Sequence, residues 1–251
     1  MLAKITHNKE TFTVNLLEPI DISVPITSKS NPQAWYLDKP QFTTVKNGDW
    51  VGSVKDGGDV NFRTITFNPH SHGTHTETVG HITSQIHSIN KHLKTFFFIV
   101  EVVTVIPEKL ETPDNDFVIK ASQFDSVLND SSAQALIIRT LPNLEDKKTK
   151  NWSHTNWPYV EEEAMVRFRE SGIKHLLIDL PSVDKEKDGG ALKAHHAFWN
   201  TKGALRLDAT ITEMIYVPDT VPDGTYLLNL QIASFDNDAT PSKPILYSIK
   251  Q

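Results

Sequence analysis

Two short apolar runs, Ala135-Leu136-Ile137-Ile138-Arg139-Thr140 and Ile173 to Leu180, flank a segment from Pro158 to Ser171 that carries the marks of a helix. Proline falls in its first turn, glutamates at 161 to 163 sit where the positive end of the helix dipole favours them, and Gly172 supplies the stop. A strand, a helix and a strand in that order form a parallel crossover, because parallel neighbours cannot be joined by a tight turn. That places the chain in the α/β class. Phe96 to Ile106, rich in β-branched and aromatic residues, adds another buried strand. Phe12 to Leu17 and Ile20 to Ile26 read as strands around Glu18-Pro19, and Tyr226 to Ile232 and Thr240 to Ile249 as strands around the turn Asp236-Asn237-Asp238. Ala121 to Leu128 reads as a short helix, and apolar residues at 82, 86, 89 and 93 give Ile82 to Leu93 a helical spacing. With 251 residues, 38% of them hydrophobic, the chain can fill one large domain, or two that share a core, without a disulfide.

The densest chemistry lies between His70 and His81, where His70, His72, His75, His81 and Glu77 fall within twelve residues. Imidazole nitrogens and a carboxylate suit Zn²⁺, Mn²⁺ or Fe²⁺, and Gly73 lets the backbone turn tightly among them. The run Arg63-Thr64-Ile65-Thr66-Phe67 alternates polar and apolar, so it reads as a strand that delivers the histidines at its end. If the extended backbone continues, His75 and Glu77 point to one face and can share an ion. His81, four residues beyond Glu77, falls at the start of the following helix, beside the ion without ligating it. His87 and His92 lack the spacing to join the cluster and read as helix-surface residues.

Other chemistries are excluded or unsupported. There is no cysteine, hence no thiolate ligand or nucleophile, and no G-x-S-x-G elbow. A net charge of -6 without a basic block argues against nucleic acid as a partner. Met1 to Glu10 has no apolar core of signal-peptide length, and the run Phe96 to Val103, interrupted by Glu101, is too short to span a bilayer, so a cytoplasmic protein with no membrane partner is expected. The stretch from Thr27 to Gly58 is a long polar loop containing Trp35, Tyr36 and Trp50, which act either as a lid or as rings pinning the loop to the surface. A second polar loop, Leu141 to Trp157, holds Trp152, Trp157 and Lys147-Lys148-Thr149-Lys150, whose lysines read as a solvated face.

The segment Gly73-Thr74-His75-Thr76-Glu77, followed by His81, resembles the H-x-G-T-H-x-D-x-x-x-H motif of the cyclase family of metal-dependent hydrolases, known from kynurenine formamidases and isatin hydrolase. Glu77 stands where that family has Asp, and Ser71 where its first histidine falls. His70 is the preferred substitute, since Asn68-Pro69-His70 resembles the family's approach, with His72 the alternative. Pro19-Ile20-Asp21-Ile22-Ser23-Val24-Pro25-Ile26 is similar to the family's opening strand, and Asp179-Leu180-Pro181-Ser182-Val183-Asp184 to its D-x-P-S-V-D block, where Asp184 either lines the site or caps the next turn. His195-His196-Ala197-Phe198-Trp199 resembles the family's late helix, in a register that selects His195, and Ile211-Thr212-Glu213-Met214-Ile215 its glutamate strand. Independently of the family, Glu213 in an apolar strand is a costly buried charge unless a cation or partner neutralises it.

The resemblance implies a single domain over residues 1–251 with an α/β fold, a mixed β-sheet and flanking helices, the swivelling β/β/α architecture of that family. It implies hydrolysis of an amide, formamide, lactam or lactone by metal-activated water, arylformamidase-like and of the kind used in tryptophan catabolism. The ligands would be His70, His75, Glu77, His195 and Glu213, with Glu77 bridging if there are two ions, zinc first and manganese as the alternative, and His81 would be the base and proton shuttle. A small-molecule substrate and a homodimer or homotetramer complete the expectation. The alternative is a non-catalytic metal- or ligand-binding member of the same fold, motivated by Ser71.

Overall fold

The computed structural model describes residues 1–130 and 132–250. Seven strands form a closed ring: β1 (His75–Glu77), β2 (Phe97–Val105), β3 (Ala135–Thr140), β4 (His175–Ile178), β5 (Thr210–Glu213), β6 (Gly224–Ile232) and β7 (Ala239–Lys250). Around the ring the order is β1-β5-β4-β3-β2-β6-β7, and β7 returns to β1. The pairs β2–β3, β3–β4 and β4–β5 are parallel, and the remaining pairs are antiparallel, so the sheet is mixed as expected. The crossover between β3 and β4 carries α1 (Glu162–Glu170), and α2 (Lys193–Trp199) lies between β4 and β5. A hairpin of Leu2–His7 and Glu10–Asn15 extends the sheet beyond β7.

The central strands are apolar without alternation because both their faces are covered. Leu136, Ile138, Leu176 and Ile178 pack outward with Met165 and Phe168 of α1 and Phe198 and Trp199 of α2. Their neighbours Ile137 and Leu177 turn inward to meet Val100, Val102, Leu228, Leu230 and Leu246 inside the ring. The period of two thus divides each strand between two cores. Ile211 of β5 belongs to the outer, helix-covered core, so Glu213 two residues later faces the same way.

Several local expectations change: the helix expected from Pro158 begins at Glu162, after the extended Tyr159–Val160, and the strand expected over Ile20 to Ile26 is only Ile20–Asp21. The helical spacing of Ile82 to Leu93 yields a helix only at Ile89–His92, because the segment before it bends back so that the His87 backbone lies against Gly80. Arg63–Thr66 is a strand, but it pairs with Gln41–Thr44 in a separate ribbon and exposes all four residues. Lys147 is not part of a solvated face. Its ammonium is buried, donating to the Thr140 carbonyl at 2.7 Å and to Asp179 Oδ2 at 2.8 Å. Trp152 and Trp157 are buried as well, and Trp157 meets Trp35 edge-on with ring centroids 5.0 Å apart. Among the described residues no helix is long and apolar enough to cross a membrane.

Candidate metal centre

Strand β1 is only three residues long, yet it is hydrogen-bonded on both sides, with His75 opposite Glu213 of β5 and Pro241 of β7. The alternation of a strand sends Thr76 to one face, where its hydroxyl meets that of Thr212 at 2.8 Å, and His75 and Glu77 to the other. That second face is the one Glu213 and Ile211 share. The approach is fixed by Gly73 and Thr74. Gly73 has φ +134°, and a Cβ there would lie 2.8 Å from the Val24 carbonyl oxygen. Thr74, fully enclosed, accepts from the Val24 N–H at 2.7 Å and donates its hydroxyl to the Met214 carbonyl at 2.6 Å. One hydroxyl therefore ties the histidine segment to the residue after Glu213.

His75, His195 and His70 each have one nitrogen committed to the protein and one turned inward. His75 donates Nδ1–H to the Gly73 carbonyl at 3.0 Å, which leaves the Nε2 lone pair facing Glu213 Oε2 at 3.4 Å. His195, on α2, bonds Asp184 Oδ2 through Nδ1 at 2.5 Å and brings Nε2 to Glu77 Oε1 at 3.1 Å. His70 meets Asp238 Oδ2 through Nε2 at 3.0 Å and brings Nδ1 to Glu77 Oε2 at 3.0 Å. Asp184 takes both of the roles open to it. Besides holding His195, it caps α2 by accepting from the N–H groups of Ala194 and His195. Glu213 is steadied through Oε1, which accepts from the Val183 N–H at 3.1 Å.

His72 lies outside this convergence. Its Nδ1 accepts from the Asn68 N–H at 2.9 Å and its Nε2 donates to the Asp38 carbonyl at 2.7 Å, so it holds loops together. Ser71 is likewise occupied, donating its hydroxyl to the Ala34 carbonyl at 2.6 Å. His81 ends a short 3-10 turn and stacks on His70 with centroids 4.2 Å apart. Its Nδ1 lies 3.7 Å from Asp238 and 4.0 Å from Glu77, and about a third of its side chain is exposed.

Five buried side-chain polar atoms among the described residues lack a hydrogen-bond partner, and three of them meet here: His70 Nδ1, His75 Nε2 and Glu77 Oε2. His70 Nδ1 and Glu77 Oε2 are close, but their approach is not aligned as a hydrogen bond. Such stranded atoms are costly unless something binds them. At His75 two acceptors, Nε2 and the Glu213 carboxylate, face each other with no donor between. Ligand atoms of His75, Glu77 and Glu213 lie within 4.8 Å of one another, as do those of His70, Glu77 and His81. Two nitrogen–carboxylate clusters sharing Glu77 fit one or two divalent cations.

The charges agree. Burial opposes a protonated His70, yet the Asp238 and Glu77 carboxylates outweigh it and raise its pKa to about 10. His195 is likewise raised well above the usual imidazole range, against burial, by Asp184 and Glu77. Glu77 is held well below the ordinary carboxylate range despite complete burial, through the charges of His81, His195 and His70. A cation bound here would have to displace the protons that these carboxylates favour on His70 and His195.

Asp238 is the residue that sequence reasoning missed. It falls in what reads as an ordinary acidic turn, and nothing in local spacing separates it from Asp236 two positions earlier.

The sequence profile of a family described as putative cyclase matches residues 20–185. The kynurenine formamidase of Bacillus cereus is 28% identical over 233 residues, spanning 92% of this chain and 98% of that protein. Among solved structures, a predicted metal-dependent hydrolase from Bacillus stearothermophilus superposes with a TM-score of 0.63 at 16% identity, covering 92% of this chain and 98% of the other. Isatin hydrolase A from Labrenzia aggregata superposes with a TM-score of 0.65 at 12% identity, covering 93% and 94%. At these identities the structural likeness concerns the fold.

Proposed function

The chain belongs to the putative cyclase family, and from that premise we propose that it is a metal-dependent hydrolase of an amide, formamide, lactam or lactone bond. The observation that carries this reading is the meeting of three unsatisfied inner atoms, His70 Nδ1, His75 Nε2 and Glu77 Oε2, in one buried place. The similarity to a kynurenine formamidase supports it.

His70, His75, Glu77, His195 and Glu213 would between them hold one or two ions, with zinc favoured by the nitrogen-rich set and manganese the alternative. Bound there, a divalent cation would polarise the scissile carbonyl and lower the pKa of a water molecule. The chain's own residues do the rest. His81, partly exposed at the rim, accepts the proton of the attacking water and returns it to the leaving nitrogen or oxygen. Glu77 keeps its two oxygens on opposite halves of the site, and Asp184 keeps His195 turned toward it.

The test is elemental analysis of purified wild-type, His75→Ala, Glu77→Ala and His81→Ala proteins, paired with hydrolysis of an aryl formamide. The first two variants should lose metal and activity together. His81→Ala should keep its metal and lose turnover by roughly 10²- to 10⁴-fold. Undiminished hydrolysis by metal-free His75→Ala would refute the reading.

A further inference from the structure

Asp238 stands just before β7, far in sequence from the histidines, yet its carboxylate lies between two of them. Its Oδ2 is 3.0 Å from His70 Nε2 and 3.7 Å from His81 Nδ1, and the two rings stack on each other. The backbone of the turn is fastened to the same segment. The Asp238 carbonyl accepts from the Thr78 N–H at 3.0 Å, and the Asn237 carbonyl accepts from the Ile89 N–H at 2.8 Å. Gly80 permits this closeness, since a Cβ there would sit 3.2 Å from the Asp238 Cβ. The turn that delivers the carboxylate is thus anchored through its backbone.

An imidazole can offer a metal only one nitrogen, and the partner of the other decides which one. His75 and His195 have Nδ1 engaged and present Nε2. His70 is the reverse: Nε2 is engaged by Asp238 and Nδ1 faces Glu77. We propose that Asp238 is a positioning residue, which fixes His70 as a ligand through Nδ1 and aligns His81 alongside it. The proposal rests on the metal-site reading above and adds a residue to it. Asp238 need not touch the ion or the substrate. It accepts the outer N–H of His70, as outer carboxylates do for metal-ligating histidines, and its second contact ties the orientation of His81 to that of His70.

The experiment is zinc titration of metal-stripped full-length protein by calorimetry, with nitrogen-detected NMR of the zinc-loaded imidazoles. Asp238→Ala should weaken zinc binding by roughly 10- to 100-fold. Asp238→Asn keeps a carbonyl oxygen for the His70 N–H and should recover most of that loss. In the wild type the His70 resonances should report a proton on Nε2 and the metal on Nδ1. Asp236→Ala serves as the control for the turn. Asp236 lies in the same loop as Asp238, is exposed and paired with Lys91 of the Ile89–His92 helix, but touches neither histidine, and its removal should leave zinc affinity unchanged. Equal affinity in Asp238→Ala and wild type, equal losses in Asp236→Ala and Asp238→Ala, or zinc on His70 Nε2 would each overturn the assignment. Wild-type protein that takes up no zinc would instead overturn the metal reading, and this one with it.

Discussion

Replacing Thr74 by valine changes little in shape but removes one hydroxyl, and the structure gives that hydroxyl two tasks. It accepts from the Val24 N–H and donates to the Met214 carbonyl, both at short distance and both away from water. Valine leaves two buried backbone groups without these partners, each costing about 1–3 kcal/mol, so the loss should be about 2–6 kcal/mol. Serine keeps both bonds and loses only a methyl group, at a cost of about 0.5–1.5 kcal/mol. Equilibrium urea unfolding of the metal-free proteins measures the difference directly, and thermal unfolding should show the valine variant melting roughly 5–20 °C below wild type. Because Met214 follows Glu213, the valine variant should also bind zinc more weakly than the serine variant. If Thr74→Val and Thr74→Ser were equally stable, the clamp would not be contributing, and the placement of Glu213 opposite His75 would have to come from strand pairing alone.

Two further outcomes follow from groups outside the centre. Burial pushes the His175 imidazole down to about 3, so the folded protein keeps it neutral where the unfolded chain, near 6.5, would protonate. Its contribution is therefore complete above pH 6.5 and fades at about 1.4 kcal/mol per pH unit as pH falls toward 3. Urea unfolding from pH 7 to pH 5 should show a shallower decline in His175→Asn than in wild type, and parallel slopes would contradict this. Lys147→Met should cost about 3–5 kcal/mol by removing the counter-charge of the buried Asp179 carboxylate, and adding Asp179→Asn, which removes the charge but keeps an acceptor for the Thr140 N–H, should restore most of it. A double variant no more stable than the single one would show that the pair is not the source of the loss.

The parts of the fold legible in the sequence are those governed by local pattern. The run 135–140 is a strand at the positions its composition indicates, and the crossover to His175–Ile178 is parallel. What the sequence concealed depends on distant partners. Lys147 sits among lysines in a polar loop, and only the fold brings Asp179 to it. Arg63–Thr66 alternates as a strand should, but alternation does not say which sheet a strand joins. In the candidate site, the cluster from His70 to His81 was visible because its members are neighbours. That His72 would turn to Asp38 and Asn68, while Asp238 entered from the far end of the chain, follows from tertiary contacts that leave no local trace.

The double pairing of β1 has a consequence for how the molecule comes into being. His75 finds Glu213 on one side and Pro241 on the other, so neither partner exists when the histidines leave the ribosome. The chain must be synthesised past Pro241 before β1 can pair on both edges, and that pairing closes the ring beside the candidate ligands. A three-residue strand locked on both edges also has no freedom to slip, since a shift of one residue would turn Thr76 toward the ligands and His75 away from them. A chain ending short of Asp238 would leave one edge of β1 unpaired and lack the Asp238 carboxylate, and should hold zinc more weakly at these positions.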